Sequence, residues 1–356
     1  MRPIVLLLLF LSACSLALPT SAQRVSVAFW NVENLFDTIP SPFYDDTEFT
    51  PRGANRWDTD RYRTKIRNLA RVIDELSADI VGLAEVENES VVRDLVLALE
   101  TDYNYIHRTS GDSRGIDQAL LYKGDKFFPD LVPAPAPVPV SATVPASLPA
   151  LVPDSTRLSR APDPAARLLT SGMGREFLHV RGELLGERID LIVCHMASNL
   201  NSIAWRRRNM QALRGALENL LARDPSAAIV VMGDMNAVPD DRVVRATVGS
   251  VSSPWDFMYA PHWQQHRSGI GSYNWRGRWY LYDWMMVSPS LARGAMVARN
   301  PSLRISDAGI YAKEYLTESV TSDTHGARRP LRTFYAGDYL GGFSDHFPVW
   351  LVIERP

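Results

Sequence analysis

Cysteine is scarce in this sequence, and its scarcity excludes a scaffold held together by disulfides. The 356 residues include two cysteines, Cys14 and Cys194. Cys14 lies in an N-terminal apolar segment, and if that segment is cleaved off, Cys194 has no intramolecular partner. Two cysteines so far apart also do not form the closely spaced pair that is typical of a zinc site. Cys194 ends an apolar run at 191–194 and is predicted to be a buried structural thiol.

An excess of either charge is also absent. Lys and Arg number 38 and Asp and Glu number 40, which gives a formal net charge of −2. The overall charge therefore does not mark the chain as a nucleic-acid-binding protein, although a local basic face stays open. A hydrophobic content of 46% and a charged content of 22% are ordinary for a globular protein, and no internal repeat indicates a solenoid.

Long hydrophobic runs are missing except at the N-terminus, where the run is too short for a membrane-spanning helix. Arg2, the apolar residues 4–11 and a small-residue site at 20–22 predict a signal peptide over 1–22. A second interpretation stays open, because residues 11–14 (LSAC) resemble a lipobox that would leave a lipid anchor on Cys14. Both interpretations predict a secreted protein, or one of the periplasm or cell envelope.

From residue 23 onward, short apolar runs alternate with helical patterns. Helices are predicted at 59–76, 90–99 and 205–221, and strands at 25–30, 79–84, 118–122, 177–182, 188–195, 227–232, 282–287 and 349–353. In the first helix the apolar residues share one face, and Arg and Lys fill the other. Helices separate the early strands, whereas the later strands lie closer together. We predict one α+β domain over 23–356, a four-layer α/β sandwich of two mixed β-sheets packed face to face with helices on the outside.

A composition break interrupts this pattern at about 129–165. Ten of the chain's 24 prolines fall between Pro129 and Pro164, with Ala and Val among them. Proline fixes φ and has no amide donor, so neither a helix nor a central strand suits the segment. We predict an extended or disordered insertion over the surface of the domain. It is not a domain boundary, because strand patterns resume after it.

Polar side chains that carry chemistry lie at the ends of the predicted strands. They are Asn31, Glu85, His195, Asp234 with Asn236, Asp283, and Asp345 with His346. Singly, each has an ordinary explanation as a turn former, a solvated loop charge or a packed histidine. As a set they offer oxygen ligands for a hard metal ion together with acid–base groups. Because strand ends of an open sheet face one crevice, the set indicates a single site that hydrolyses a phosphate ester.

These residues lie in sequence blocks through which the chain resembles the endonuclease/exonuclease/phosphatase superfamily, also called deoxyribonuclease-I-like. The blocks are VAFWNVENLFD at 27–37, DIVGLAEVEN at 79–88, RGIDQALLY at 114–122, REFLHVRGEL at 175–184, LIVCHMASN at 191–199, VVMGDMNAVPDD at 230–241, YLYDWMMVSP at 280–289 and GFSDHFPVWL at 342–351. The GDxN and SDH blocks are the specific ones. The segment 271–288, GSYNWRGRWYLYDWMMVS, resembles a bacterial branch with undefined substrates, which we expect here in secreted form.

The resemblance implies a role for every residue of the set. Metal binding falls to Asn31, Glu85 and Asp345, and catalysis to His195, Asp234, Asn236, Asp283 and His346. Asp234 would orient or deprotonate the attacking water, and Asn236 and His195 would contact the phosphate. Asp283 would orient His346, which acts at the scissile phosphate. Magnesium is the expected ion, because it prefers octahedral oxygen ligands, and Mn²⁺ and Ca²⁺ are alternatives.

Two departures from the family pattern leave points open. Ala84 replaces a Gln that often precedes the metal-site Glu, and Glu87 competes with Glu85 because it lies two residues further along an extended chain. Glu85 is preferred. The block that contains Asp283 is the weaker one, because YDW replaces the commoner Asp-Arg or Asp-Gln pair.

We therefore expect a secreted, metal-dependent phosphodiesterase of the endonuclease or exonuclease type. Its partner would be a phosphoester substrate, with nucleic acid preferred, and we expect a monomer. Two alternatives stay open: a phosphatase or phosphodiesterase acting on a lipid head group or small phosphoester, and a non-catalytic envelope binding protein. The Arg and aromatic residues at 273–284 suit either a surface on which a base stacks or an ordinary exposed hairpin.

Overall fold

The computed structural model of the protein describes residues 22–131, 166–169, 175–294, 303–319 and 328–356. The predicted signal peptide up to residue 21, including Cys14, and residues 132–165 of the predicted insertion lie outside the described residues. Both therefore stay predictions. Within the described ranges, no helix combines the length and the apolar character needed to cross a membrane.

Two mixed β-sheets form the centre of the described chain. The first comprises β1 (Gln23–Leu35), β2 (Ile80–Val86), β3 (Asn104–Arg108), β4 (Asp117–Tyr122), β13 (Arg304–Ile310) and β18 (Val349–Arg355), in the spatial order β13-β18-β1-β2-β4-β3. The second comprises β5 (Phe127–Pro129), β6 (Ala166–Leu169), β7 (Phe177–Leu184), β8 (Glu187–His195), β9 (Ala228–Asp234) and β12 (Asp283–Val287), in the order β12-β9-β8-β7-β5 with β6 also on β7. Strands β1 and β2 pair in parallel, as do β8 and β9.

Smaller elements surround these sheets. The short strand pairs are β10 (Tyr273–Trp275) with β11 (Arg278–Tyr280), β14 (Thr317–Ser319) with β15 (Arg328–Pro330), and β16 (Phe334–Tyr335) with β17 (Asp338–Tyr339). The α-helices are α1 (Thr59–Leu76), α2 (Glu89–Ala98), α3 (Ile203–Arg223), α4 (Arg242–Thr247), α5 (Trp263–Arg267) and α6 (Pro289–Arg293). Single 3-10 turns occur at Thr47–Phe49 and Glu314–Leu316.

The packing of β1 shows how the layers are arranged. Val27 and Phe29 of β1 point between the two sheets, where they join Val193 and Met232 in a shared core. The alternate side chains of β1, such as Trp30, pack on the other face with residues of α1 and α2. Helices α3 and α4 cover the outer face of the second sheet in the same way. Because both faces of a central strand are covered, its sequence reads as a continuous apolar run. The predicted four-layer sandwich is confirmed.

His262 lies just before α5 and contacts two strands of the first sheet. Its Nε2 lies 3.2 Å from the Gly309 carbonyl of β13 and 3.1 Å from the Trp350 carbonyl of β18. The side chain is fully buried, and Nδ1 has no hydrogen-bond partner in the described chain. Burial lowers the pKa of His262 to about 4, which outweighs the two carbonyl contacts that favour the charged form.

We expect His262 to make the fold less stable as the pH falls from about 6.5 towards 4. An unfolded chain takes up a proton on this imidazole near pH 6.5, whereas the folded chain resists until about pH 4. Between these two pH values the unfolded chain binds more protons than the folded chain. The free energy of unfolding therefore falls by about 3 kcal/mol over the whole window. Urea unfolding at pH 7, 5.5 and 4 measures this for the wild type and for His262→Gln. The variant should lose less stability on acidification, and identical pH slopes for the two proteins would refute the assignment.

Candidate active site

Strand register in the second sheet places three predicted site residues side by side. His195 at the end of β8 pairs with Asp234 at the end of β9, and Asp234 pairs in turn with Asp283 at the start of β12. All three side chains are buried. The apolar runs of these strands fix the register, since a slip by one residue would turn each core side chain to the opposite face.

Irregular backbone in the first sheet directs Asn31 and Glu85 toward the same edge. The pairing registers shift just after Asn31 in β1 and around Glu85 in β2. Glu85 has φ of +66°, and Glu33 and Asn34 have φ of +52° and +51°. Such a conformation costs a non-glycine residue about 1–3 kcal/mol and persists only where contacts fix it. Here the Asn34 amide donates to Glu85 Oε2 at 3.0 Å.

Five of the predicted side chains form an unbroken series of contacts. His195 Nε2 lies 3.5 Å from Glu85 Oε1 and 3.7 Å from Asp234 Oδ2. On the other side of Asp234, His346 Nε2 lies 4.0 Å from its Oδ2 and 3.7 Å from Asp345 Oδ1. The structure thus brings together side chains from both sheets and from the segment before β18.

Asn31 lies between two carboxylates and acts as a donor to both. Its Nδ2 is 3.2 Å from Glu85 Oε1 and 3.1 Å from Asp234 Oδ2. The Glu33 amide donates to Asn31 Oδ1 at 3.0 Å, and this contact fixes which end of the side chain faces the carboxylates. A metal-ligand role would require the Asn31 amide group to turn. That role stays a prediction.

His346 is held in place from two sides. Its Nδ1 lies 2.6 Å from Asp283 Oδ2, which also accepts a hydrogen bond from Ser272 Oγ at 2.6 Å. The Tyr273 ring packs on the imidazole with the ring centroids 4.7 Å apart. Burial alone would lower the pKa of His346, but the Asp283 and Asp345 carboxylates outweigh it and hold that pKa well above its usual value.

Asp234 is buried close to the carboxylates of Asp283 and Glu85. Burial raises the pKa of Asp234 to about 7, and repulsion by Asp283 adds to the effect. Its Oδ1 accepts the Asn236 amide at 2.8 Å, and Asn236 Nδ2 donates to the Met196 carbonyl at 3.0 Å. Burial is the larger cause of the raised pKa, and the repulsion by Asp283 is the part that a bound cation would offset.

His195 has the opposite electrostatic environment. Burial lowers the pKa of His195 well below its usual value, and the nearby guanidinium groups of Arg175 and Arg114 add to this. Both guanidiniums lie 3.5 Å from Asp112, and Arg175 Nη1 also donates to the His195 carbonyl at 3.4 Å. A neutral imidazole carries a single N–H, and Nε2 of His195 faces the two carboxylates at 3.5 and 3.7 Å.

One group of side chains in the described residues has the geometry of a metal site. Asp234, Asp283 and His346 are buried, and their ligand atoms lie within 4.8 Å of one another. Asp283 Oδ2 and His346 Nδ1 bind each other at 2.6 Å, whereas Asp283 Oδ1 has no hydrogen-bond partner in the described residues. Glu85 and Asp345 lie outside this group, and their role as metal ligands stays a prediction.

Glu87, the competitor of Glu85, points away from the site. Its carboxylate accepts the Asp37 amide at 2.7 Å and the Tyr44 hydroxyl at 3.1 Å. Burial raises the pKa of Glu87 to about 7, and the charge of Asp37 adds to this. The register shift around Glu85 separates the two side chains, which a regular strand would have placed on one face. The geometry favours Glu85.

The aromatic residues near the site pack on one another. Tyr273 and Tyr282 stack with centroids 5.5 Å apart, and Tyr282 and Tyr280 stack with centroids 5.2 Å apart. Because neighbouring rings and His346 cover their faces, these tyrosines form a wall beside the site and offer little face for a base. The β10–β11 hairpin that carries Tyr273 and Tyr280 agrees with the ordinary hairpin interpretation.

A buried charged group near the site, centred on Lys65, is not marked by any sequence motif. Lys65 of α1 is 1% exposed, although its helix pattern assigned Lys and Arg to the polar face. Lys65 Nζ donates to Thr333 Oγ1 at 2.6 Å and to the Phe343 carbonyl at 2.7 Å, and lies 4.0 Å from Glu33 Oε2. Glu33 in turn accepts the Thr333 amide at 2.6 Å. This group, Glu33–Lys65–Thr333, connects α1 with the segment that leads to Asp345.

Replacing Lys65 with methionine is expected to destabilise the protein by about 1–3 kcal/mol, because the Phe343 carbonyl loses its donor and Glu33, whose pKa burial raises to about 7, loses its cation. Urea unfolding measures the change. Adding Glu33→Gln should recover part of the loss, since the uncompensated charge is then gone. Arg63→Met on the exposed side of α1 is the matched control, with an expected change within about 0.5 kcal/mol. Equal effects of Lys65→Met and Arg63→Met would contradict a buried ion pair.

A sandwich of two mixed β-sheets with helices outside is the deoxyribonuclease-I-like fold. The chain belongs to the Endonuclease/Exonuclease/phosphatase family, whose Exo_endo_phos_3 profile matches residues 26–134 and 156–355. Members of this family are divalent-metal-dependent phosphoester hydrolases. The predicted superfamily is confirmed.

Solved structures agree with this fold. TDP2 from D. rerio, in complex with a single-strand DNA product, superposes with a TM-score of 0.54 at 14% identity, over 93% of this chain and 98% of that chain. An endonuclease/exonuclease/phosphatase family protein from Bacteroides thetaiotaomicron gives a TM-score of 0.52 at 16% identity, over 94% of this chain and 99% of that chain. No curated protein sequence gives a significant match.

Proposed function

We propose that this protein is an exported, magnesium-dependent phosphodiesterase of the nuclease type. The observation that carries the proposal is the contact series from Glu85 through His195, Asp234 and His346 to Asp345, with every step at 4.0 Å or less. Acid–base groups and free carboxylates at one edge are what metal-assisted phosphoester hydrolysis requires.

The proposed mechanism assigns a task to each side chain. Glu85 and Asp345 would hold the ion, and magnesium would supply positive charge against the phosphoryl oxygens. Asp234 orients the attacking water and accepts its proton. Its partners Asn31 and Asn236 hold the carboxylate in a single orientation.

Two imidazoles complete the mechanism. His346, with Nδ1 hydrogen-bonded to Asp283, directs Nε2 toward the phosphate and donates to the charge that develops there. His195, neutral and buried, would direct its one N–H from the two carboxylates that its Nε2 faces to a phosphoryl oxygen as a hydrogen-bond donor. The Asn236 side chain would donate a hydrogen bond to the phosphate after it leaves the Met196 carbonyl. Neutral donors suit this position because they add no charge that must be desolvated.

A substrate panel tests the proposal. Purified protein is incubated with plasmid DNA, single-strand DNA, RNA, lipid and sugar phosphates, with magnesium and with chelator. DNA is tested first, because the D. rerio TDP2 structure contains a single-strand DNA product. Nicked or shortened DNA that appears with magnesium and disappears with chelator would support a nuclease. Turnover of lipid or small phosphoesters while DNA stays intact would favour the phosphatase alternative. No turnover of any substrate would favour the non-catalytic binding protein.

Export is the second part of the proposal. Its support is the N-terminal sequence, with Arg2, the apolar residues 4–11 and the small residues 20–22. Mass spectrometry of the processed protein tests it. A chain that begins at Gln23 indicates signal-peptide cleavage, a lipid-modified Cys14 indicates an envelope lipoprotein, and an intact Met1 in the cytoplasmic fraction would refute export.

A further inference from the structure

Arg332 extends into the edge of the candidate site, although no motif marks it. Its Nη2 lies 3.5 Å from Asp345 Oδ2, and its guanidinium also meets the Tyr273 hydroxyl. The side chain is 12% exposed. Nε is buried and has no hydrogen-bond partner in the described part of the chain.

The donors of Arg332 outnumber the acceptors around it. A guanidinium carries five N–H groups in a planar fork. Asp345 and Tyr273 engage part of the fork, and the Asp345 contact, at 3.5 Å, is longer than an ordinary hydrogen bond. Asp345 in turn has His346 Nε2 at 3.7 Å from its other oxygen. Arg332 and His346 thus flank the same carboxylate, and the two Nη groups of Arg332 carry four N–H donors, more than Asp345 and Tyr273 accept.

Several contacts hold the backbone around Arg332. The Gly342 amide donates to the Arg332 carbonyl at 3.2 Å, and the Phe343 amide donates to the Leu331 carbonyl at 2.7 Å. Thr333, the next residue, is bound by the buried Glu33–Lys65–Thr333 group. A cation fixed in this way needs little reorganisation during a reaction, which is the condition for strong electrostatic catalysis.

We propose that Arg332 is a catalytic residue that stabilises the phosphoryl group in the transition state. The inference rests on the proposed function. The remaining Nη N–H groups of Arg332 donate to a non-bridging phosphoryl oxygen as negative charge builds there, and no covalent bond to Arg332 forms or breaks. A planar fork matches two oxygens of a phosphate, which an ammonium group does not. The class of ligand recognised is therefore an anionic phosphoester with free non-bridging oxygens.

Variants of Arg332 test this with bis(p-nitrophenyl) phosphate and magnesium. Arg332→Ala is expected to lower kcat by about 100- to 1,000-fold, the range found when one preorganised donor is removed. Free guanidinium added to Arg332→Ala should restore part of the rate, which a purely structural role would not allow. Arg328→Ala is the matched control, because Arg328 is half exposed, pairs with Glu314 and should leave kcat unchanged.

A binding measurement separates this inference from the proposed function. Calorimetric titration with inorganic phosphate in the presence of magnesium should show at least about tenfold weaker binding to Arg332→Ala than to the wild type. This comparison needs no turnover, so it applies even if the wild type fails on every substrate. Should Arg332→Ala not fold, Arg332→Lys takes its place, since it keeps the charge and loses the fork. Wild-type kcat together with wild-type phosphate binding in either variant would overturn the assignment.

Discussion

Replacing Asp234 with asparagine is expected to lower kcat for phosphoester hydrolysis by about 100- to 10,000-fold, the range that a positioned general base contributes. Asparagine keeps one oxygen for the Asn236 amide but cannot accept a proton from water. The second carboxylate oxygen, now an amide nitrogen, would face the donors Asn31 Nδ2 and His195 Nε2, at 3.1 and 3.7 Å. The variant therefore lacks the general base and also the contacts that orient the side chain.

Glu87→Gln is the matched control for this variant. Burial raises the pKa of both carboxyl groups to about 7, but Glu87 binds Tyr44 and Asp37 away from the contact series. Steady-state kinetics and thermal unfolding are measured on both variants. We expect both to fold and only Asp234→Asn to lose turnover. Equal kcat values for the two variants would show that the site lies elsewhere in the molecule.

The sequence predicts the central elements of the fold because those elements are buried on both faces. The predicted bounds 59–76 match helix α1, which begins after Asp58, whose side chain accepts the Arg61 amide. Central strands such as β8 and β9 read as unbroken apolar runs. Strand β13 was not predicted, since most of Arg304–Ile310 is exposed or half-buried and its sequence, RISDAGI, includes Asp307 and Gly309. Edge strands of this kind lack the apolar pattern that identifies a core strand.

The sequence predicts residues that the structure brings close together, but it does not predict the orientations of their side chains. The GDxN and SDH blocks point to Asp234 and His346, because a short polar motif next to an apolar strand can be recognised in the sequence alone. The positive φ of Glu85 has no such signal, since glycine is the residue that normally marks this conformation. Lys65 and Arg332 were missed because their partners, Phe343 and Asp345 among them, come from distant segments that meet only in the folded protein.

Asp283→Asn is expected to lower kcat by about 100- to 10,000-fold, because an Asp that orients a catalytic His contributes on this scale. Neither orientation of the new amide at position 283 can replace the carboxylate. With its nitrogen toward His346 Nδ1, at the present 2.6 Å, Nδ1 must stay unprotonated, so the imidazole keeps a proton on Nε2 but is neutral and donates to the phosphate without its positive charge. With its oxygen there, the nitrogen takes the place of Asp283 Oδ1, which has no hydrogen-bond partner in the described residues. The charge that favours the protonated imidazole is absent in either case.

A second Asp–His pair, with Asp190 buried and His179 half-buried, provides the control for Asp283→Asn. Asp190 Oδ1 lies 2.7 Å from His179 Nε2, and Arg181 also binds this carboxylate. Asp190→Asn therefore removes a contact of the same kind in a strand pair outside the site, and should leave kcat unchanged while lowering stability. Single-turnover rates and urea unfolding are measured on both variants. If Asp190→Asn reduced the rate as much as Asp283→Asn, the loss would reflect general damage to the sheet, and the role assigned to the Asp283–His346 pair would be wrong.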